Sequence, residues 1–224
     1  MMDAAHIEAF RQRHRAWLDK LDLIDRPWLI LGSAPDPTVP DDLRSTFARI
    51  DINNAGRTAA ELGLGRADLT LRAKKKSWQE HSHVDTRALL WIHTAPEIAL
   101  RLLLLNKPYD HIGKVARLKR REREAIVTHV SEASVEAIGD LGKVTNGVAA
   151  ICYGLFIGVP KIVVAGLSLS KTGHSYDDLG RTRRQIDEDR FILERLKDRP
   201  NLFTTEPDLA QEAEIKLWPG SEAA

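Results

Sequence analysis

The sequence has little cysteine, with only Cys152 among its 224 residues. A single thiol cannot form an intrachain disulfide, and it excludes a zinc site built on several cysteines. Cys152 lies in an apolar run with helical spacing, so we expect a buried and unreactive thiol.

An excess of charge of one sign is also missing. The chain has 33 lysines and arginines against 32 aspartates and glutamates, which gives a net charge of +1. This balance disfavours a strongly basic nucleic-acid-binding protein, and we expect no nucleic-acid partner. With 43% hydrophobic and 29% charged residues, the composition is that of a folded globular protein rather than a disordered chain.

Long hydrophobic runs are absent as well. The longest apolar stretch, residues 147–160, is shorter than the roughly 20 residues that a membrane-spanning helix needs. Residues 1–15 are polar and charged where a signal peptide would be apolar. We therefore expect a cytoplasmic protein.

Residues 3–22 have the spacing of an amphipathic helix, with apolar residues at three- and four-residue steps and arginines between them. Two alternatives follow. The helix packs against its own domain or a second copy of the chain, or it lies peripherally on the inner face of a membrane. Three interspersed acidic residues, Glu8, Asp19 and Asp22, favour the first alternative.

From residue 26 onwards, short apolar runs alternate with helical patterns, which is typical of a parallel sheet with helical crossovers. We predict strands at 28–31, 47–52, 68–71, 88–92, 161–166 and 201–204, and helices at 54–63, 96–106, 118–138, 145–157 and 183–197. The predicted fold class is α/β and Rossmann-like, a mostly parallel sheet with helices on both faces. The predicted organisation is an N-terminal helix (1–25), one nucleotide-sugar-binding domain (26–217) and a tail (218–224).

Small and polar residues follow several predicted strands, where parallel sheets bind ligands. Gly32 and Ser33 follow the first strand and form either a phosphate-binding turn or an ordinary loop. Asn53 and Asn54 follow the second and either bind a base or sugar, or cap a helix. Residues 145–147, Thr-Asn-Gly, precede an apolar helix whose N-terminus would either attract an anion or simply be capped.

The loop after the predicted strand at 161–166 is the most polar. Ser168, Ser170, His174 and Tyr176 lie in it, and His174 can titrate near neutral pH. A functional loop and a solvated surface loop are the alternatives. Arginines follow at residues 181, 183 and 184, where they either bind an anion or pair with nearby carboxylates.

Two further segments are interpreted as structural. Residues 117–123 are basic but interrupted by glutamate, which is typical of a solvated helix. His81, His83 and Asp85 have a spacing that could bind a metal ion, but their surroundings favour a polar loop, and we expect no metal site.

Taken in order, these segments resemble the sialyltransferases, both the bacterial family 42 and the animal-type family 29. The resemblance lies in residues 47–55 continuing through Gly63, Asp68 and Arg72, in Thr145-Asn146-Gly147 with the strand at 161–166, and in residues 174–177, His-Ser-Tyr-Asp. It covers roughly residues 28–72 and 143–215.

The resemblance implies a CMP-activated acidic sugar, sialic acid or Kdo-like, as donor, a glycan precursor of a cell-surface polysaccharide as acceptor, and no cofactor or metal ion. It assigns donor and nucleotide binding to Gly32, Ser33, Asn53, Asn54, Arg72, Thr145, Asn146, Gly147, Ser168 and Ser170. Tyr176 would bind the leaving phosphate.

The chain departs from the family at the catalytic base. The family's histidine falls at residues 181–183, where this chain has Arg181 and Arg183, and a tyrosine expected near position 170 is Ser170. Arginine cannot accept a proton at neutral pH. Either His174 takes the role of base, with both arginines steadying the phosphate, or the chain performs different chemistry. The alternatives are an ATP- and magnesium-dependent pyrophosphokinase-like enzyme, using carboxylates such as Asp177 and Asp178, and a non-catalytic nucleotide- or glycan-binding module.

Overall fold

Short apolar runs form the strands of one sheet in the computed structural model, which describes residues 4–73, 84–105, 112–176 and 184–220. The strands are β1 (Trp28–Leu31), β2 (Ala48–Ile52), β3 (Leu69–Ala73), β4 (Ala88–Ile92), β5 (Lys114–Leu118), β6 (Ile162–Ala165), β7 (Leu202–Thr204) and β8 (Lys216–Leu217). The helices are α1 (Ala4–Asp19), α2 (Asp41–Thr46), α3 (Ala55–Glu61), α4 (Glu97–Leu104), α5 (Arg120–Ser131), α6 (Asn146–Ile157), α7 (Ile186–Leu196) and α8 (Pro207–Ala213).

The strand order is β5-β4-β3-β2-β1-β6-β7-β8, and the paired strands are all parallel. The chain builds the sheet outwards from β1 to β5, then returns to place β6 on the other side of β1. The order of connection therefore reverses between β1 and β6. In open parallel sheets the crevice at such a switch point, beyond the carboxyl ends of the strands, is where ligands bind.

Both faces of the sheet are covered by helices, as the sequence predicted. In β1, Trp28 and Ile30 join a core layer with residues from α1, α5, α6, α7 and α8. Leu29 and Leu31 point the other way, towards the residues of α2 and α3, and α4 packs on this second face at β4 and β5. Alternate side chains of a strand point to opposite faces, so a sheet buried on both sides needs apolar runs rather than alternation.

The N-terminal helix α1 packs on the protein's own core. Phe10 and Leu18 are buried in the layer that contains α6, and His14 Nδ1 lies 2.9 Å from the Tyr153 hydroxyl. Burial lowers the pKa of His14 to about 3. These side chains lie on the apolar side of α1, which is also the side that would contact a membrane. Contact of this helix with a membrane stays a prediction.

Helix α6 lies inside the protein, and ten of its twelve residues are buried. Cys152 is one of them, and burial raises the pKa of its thiol to about 12. The expectation of a buried thiol is confirmed. Within the described ranges, no helix has both the length and the apolar character needed to cross a bilayer.

Two predictions about residues 117–138 are wrong. Residues 117–123 are not a solvated helix, because Arg117 and Leu118 end strand β5 and the helix begins at Arg120. Glu122 and Arg123 in its first turn are buried, since this end of the helix packs against its neighbours rather than facing water. Helix α5 also ends at Ser131, short of the predicted residue 138, with Glu132 in a left-handed conformation.

Candidate functional site at the switch point of the sheet

Two glycines join the loops that leave β1 and β6. A Cβ atom at Gly32 would lie 2.2 Å from the carbonyl oxygen of Gly166. This distance is too short for any residue with a side chain. Gly166 has φ +63, a conformation that favours glycine, and its carbonyl accepts a hydrogen bond from Ala34 N at 2.9 Å. The small residues after β1 are therefore required to bring these two loops together.

A buried carboxylate, that of Glu206, hydrogen-bonds to both of these loops. Glu206, which follows β7 and is 2% exposed, accepts hydrogen bonds at Oε1 from the backbone N–H groups of Gly166 (2.8 Å) and Thr38 (3.1 Å). Lys171 Nζ lies 3.7 Å from Glu206 Oε2 and donates to the carbonyl of Pro35 at 3.1 Å. The sequence around Glu206 does not indicate this role, because its partners are remote in the chain.

Ser33, His174 and Tyr176 come together in the loops that follow β1 and β6. Ser33 Oγ lies 2.9 Å from His174 Nδ1, and the Ser33 carbonyl accepts from Ser175 N at 3.0 Å. The rings of His174 and Tyr176 are stacked, with centroids 5.1 Å apart and planes at 10°. An imidazole, a phenol and a hydroxyl therefore occupy one half-buried patch, where they can accept or donate protons.

Helix α3 contributes two side chains that the sequence did not indicate. The guanidinium carbon of Arg57 lies 5.1 Å from the centre of the Tyr176 ring, within the range of a cation–π interaction. The Thr58 hydroxyl lies 2.7 Å from the Ser175 hydroxyl. The first turns of α3 thus fix the segment that carries His174 and Tyr176, and bring a positive charge to it.

The two asparagines after β2 have different environments. Asn53 is left-handed at φ 54, and its Oδ1 accepts from the side-chain amide of Asn146 at 2.8 Å and from Ala73 N at 3.4 Å. Asn54 precedes α3 as its N-cap residue, without a side-chain cap hydrogen bond. Asn53 therefore joins the ends of β2 and β3 to the beginning of α6.

The Thr145 side chain has the role of a helix cap. Its Oγ1 accepts from Val148 N at 3.5 Å and donates to Asp189 Oδ2 at 2.8 Å. Asp189 Oδ1 accepts from Thr145 N at 2.7 Å, and Gln185 donates to the carbonyls of Lys143 and Val144. The segment before α7 and its first turn therefore hold the beginning of α6 in place.

Gly147, the second residue of α6, is packed tightly. A Cβ atom at this position would lie 3.0 to 3.2 Å from side-chain atoms of Leu167. Glycine at this position lets α6 approach the loop after β6. The residue therefore has a structural role, and its role in ligand binding stays a prediction.

Ser168 and Ser170 lie in the loop after β6, and Ser168 contacts helix α8, which follows β7. Ser168 Oγ donates to Asp208 Oδ2 at 2.6 Å and accepts from the backbone N–H groups of Ser170 (3.2 Å) and Lys171 (3.0 Å). The Ser168 hydroxyl thereby shapes the loop, and its predicted contact with a donor stays a prediction.

The remaining predicted residues are divided between the core and the undescribed segments. Arg72, in β3, is 1% exposed. Asp177, Asp178, Arg181, Arg183, His81 and His83 lie outside the described residues. Within 4–73, 84–105, 112–176 and 184–220, no group of three or more histidine, cysteine, aspartate or glutamate side chains could hold a metal ion.

Fold and site together define an α/β protein with a cluster of polar side chains at the switch point of a parallel sheet. The chain is similar to the sialyltransferase CstII from Campylobacter jejuni in complex with the substrate analogue CMP-3FNeuAc, at 12% identity and a TM-score of 0.48, over 87% of this chain and 86% of that one. A structure of the same enzyme with cytidine-5'-monophosphate has 14% identity and a TM-score of 0.48, with the same coverage. One with a trisaccharide acceptor and CMP has 14% identity and a TM-score of 0.49, covering 86% of each chain.

Sequence comparison gives no such similarity. No family model matches the chain, and no curated protein matches it.

Proposed function

We propose that the protein is a glycosyltransferase that moves an acidic sugar, sialic acid or Kdo-like, from a CMP-activated donor to a hydroxyl group of a glycan acceptor. The observation that carries the proposal is the Ser33–His174 hydrogen bond beside the stacked Tyr176. This cluster lies at the switch point of a parallel sheet, where nucleotides bind in such folds. The choice of CMP rests on the motif resemblance of residues 47–55, 145–147 and 174–177.

His174 is the proposed general base. The bond between the anomeric carbon and the donor phosphate breaks, while the acceptor oxygen bonds to that carbon and loses its proton to His174. An imidazole is the side chain most often used to take such a proton at physiological pH. The assignment answers the departure from the family pattern, because arginine occupies the position of the family's histidine.

Tyr176 and Arg57 are the proposed partners of the departing phosphate. The Tyr176 hydroxyl can donate a hydrogen bond to a phosphate oxygen, and the Arg57 guanidinium lies 5.1 Å from the centre of the same ring. Donors placed where negative charge develops lower the barrier of the reaction. Tyr176 supplies a hydrogen-bond donor and Arg57 a positive charge, and we propose that they serve the phosphate in a metal-independent reaction.

The nucleotide would lie along the loops after β1 and β2, against Gly32, Ser33, Asn53 and Asn54, with Asn146 beside it. The Asn53–Asn146 hydrogen bond of 2.8 Å joins these loops to α6. Asparagine side chains offer both donors and acceptors to a base or a ribose.

Ligand-dependent melting tests the nucleotide. A ligand that binds only the folded protein raises the melting temperature with its concentration. We expect CMP to raise it without magnesium, while UDP has a smaller effect. Stabilisation by ATP that requires magnesium would instead support a nucleotide-transfer enzyme, and no effect of any nucleotide would contradict the proposal.

Turnover tests the base. The His174→Ala variant should bind CMP with nearly wild-type affinity and lose transfer of the sugar from a CMP-sugar donor. Transfer that persists in this variant at the wild-type rate would show that His174 is not the base.

A further inference from the structure

Arg123 is a buried arginine that reaches the beginning of helix α6. It lies in the first turn of α5 and is 7% exposed. Its Nη1 donates to Asn146 Oδ1 at 3.1 Å, and the amide of Asn146 in turn donates to Asn53. Arg123 is thereby connected to two residues of the proposed donor site, although its own position in the sequence indicated a solvated helix.

The other edge of this guanidinium, formed by Nε and Nη2, has no partner in the part of the chain that the structure describes. Among the described residues, neither Nε nor Nη2 of Arg123 has a hydrogen-bond acceptor, and both atoms are buried. Nε–H and the Nη2–H beside it lie on one side of the planar group, spaced to bind two oxygens of one carboxylate or phosphate. Buried polar groups are nearly always hydrogen-bonded, and the cost of leaving one unpaired is larger for a charge.

The nearby carboxylates do not fill this edge. Both oxygens of Asp189 accept hydrogen bonds from Thr145, one from its backbone N–H and one from its hydroxyl. Glu124, on the same helix, lies 3.9 Å from Arg120. Asp189 and Glu124 favour the charged form of Arg123, whereas burial lowers its pKa, and arginine remains protonated in proteins.

The beginning of α6 adds a second source of positive potential. The first N–H groups of a helix have no acceptor within the helix, and its dipole is positive at that end. Asn146 and Gly147 occupy these positions in a helix of twelve residues. The Nη1 hydrogen bond to Asn146 brings the Arg123 guanidinium to this end of the helix. Two sources of positive potential therefore lie side by side, which favours an anion.

We propose that the Nε–Nη2 edge of Arg123 binds an oxyanion of the ligand, a carboxylate or a phosphate, at the beginning of α6. The inference rests on the proposed function for the identity of that ligand, since a CMP-activated acidic sugar carries both groups. The anion itself is inferred from Arg123 and the end of α6 without reference to that ligand, so the anion site and the proposed function can fail separately.

The direct test is the Nε–H resonance of Arg123 in protein labelled with ¹⁵N-arginine, assigned by its loss in Arg123→Lys. We expect the resonance to shift when CMP or free sialic acid is added, while cytidine leaves it in place. The Arg123→Met variant should bind the responsible compound roughly 10- to 100-fold more weakly, because it lacks charge-assisted hydrogen bonds. Arg121→Met, an exposed arginine of the same turn, is the matched control and should bind like wild type.

The pattern of losses identifies the anion. If Arg123→Met weakens the binding of CMP only, the Nε–Nη2 edge binds the phosphate. If it weakens the binding of sialic acid only, the edge binds the carboxylate. Wild-type affinity of Arg123→Met for both, or an Nε–H resonance that no anion moves, overturns the inference. If wild type binds neither cytidine nor CMP while inorganic phosphate or acetate moves the resonance, the anion site stands and the proposed function falls.

Discussion

Ser33 and His174 are 141 positions apart in the chain, yet Ser33 Oγ lies 2.9 Å from His174 Nδ1. When Nδ1 carries the proton and donates a hydrogen bond to Ser33, Nε2 is the ring nitrogen with the lone pair, and it is therefore the atom that would act as base. The hydroxyl of Ser33 would therefore position the base rather than react itself. This relationship connects the loop after β1 to the proposed chemistry.

The Ser33→Ala variant tests this role. We expect kcat for sugar transfer to fall roughly tenfold and the pH profile of kcat to shift, because the His174 ring loses the partner that sets its tautomer. CMP affinity should change much less than kcat. Ser45→Ala, at an exposed position of α2, is the control, and an unchanged pH profile in Ser33→Ala would contradict the assignment.

Tyr176→Phe removes a hydroxyl and keeps the ring that stacks on His174 and lies beneath Arg57. We expect kcat to fall roughly 10- to 100-fold, since a donor to the departing phosphate is lost. Near-ultraviolet circular dichroism should remain that of wild type. Equal kcat values for the two proteins would exclude the Tyr176 hydroxyl from the reaction.

The sequence predicted most of the sheet, because six of its strands are apolar runs bounded by polar or turn residues. β1 and β4 match the prediction at both ends. β5 was missed because Lys114 and Arg117 interrupt its apolar residues, which an edge strand tolerates. β8 has only two residues, too few for any pattern.

Only some residues of the candidate site could be predicted from the sequence. Ser33, Asn53, Asn146 and Tyr176 follow strands or begin a helix, and topology alone assembles such positions at one edge of the sheet. Arg57, Glu206 and Arg123 act through partners that are distant in the chain, and their local sequence carries no signal. The Arg120–Glu124 segment alternates charges like a solvated helix, and only the packing of α5 buries Arg123.

The contact between Gly32 and Gly166 gives a prediction for stability. Gly32→Ala would place its Cβ 2.2 Å from a backbone oxygen, so the two loops must separate. We expect the free energy of unfolding to fall by about 1 to 3 kcal/mol, the usual cost of overpacking. Gly65→Ala is the matched control, because no atom lies within 4 Å of a Cβ there, and urea denaturation of both variants measures the difference.

His14 makes stability depend on pH. Its folded-state pKa of about 3 lies below the ordinary histidine value of 6.5, so between these values the unfolded chain binds more protons. Stability therefore rises with pH across this window, with a slope of up to about 1.4 kcal/mol per pH unit from this group. The His14→Gln variant keeps a side chain able to hydrogen-bond Tyr153 and does not titrate. Urea denaturation at a series of pH values should give it a flatter profile, and identical profiles would contradict the buried neutral histidine.

Asp51 should make stability fall, rather than rise, with increasing pH. It is buried at the end of β2, 2.9 Å from Arg49 Nε, and burial, only partly offset by Arg49, raises its pKa to about 6 from 3.8. Here the folded state binds more protons, so this contribution to stability is present below pH 3.8 and is lost as pH rises through 6. Asp51→Asn removes the titration, and its stability relative to wild type should therefore increase from pH 4 to pH 7. A relative stability that instead decreases over this range would show that the Arg49 ion pair outweighs the cost of burying the charge.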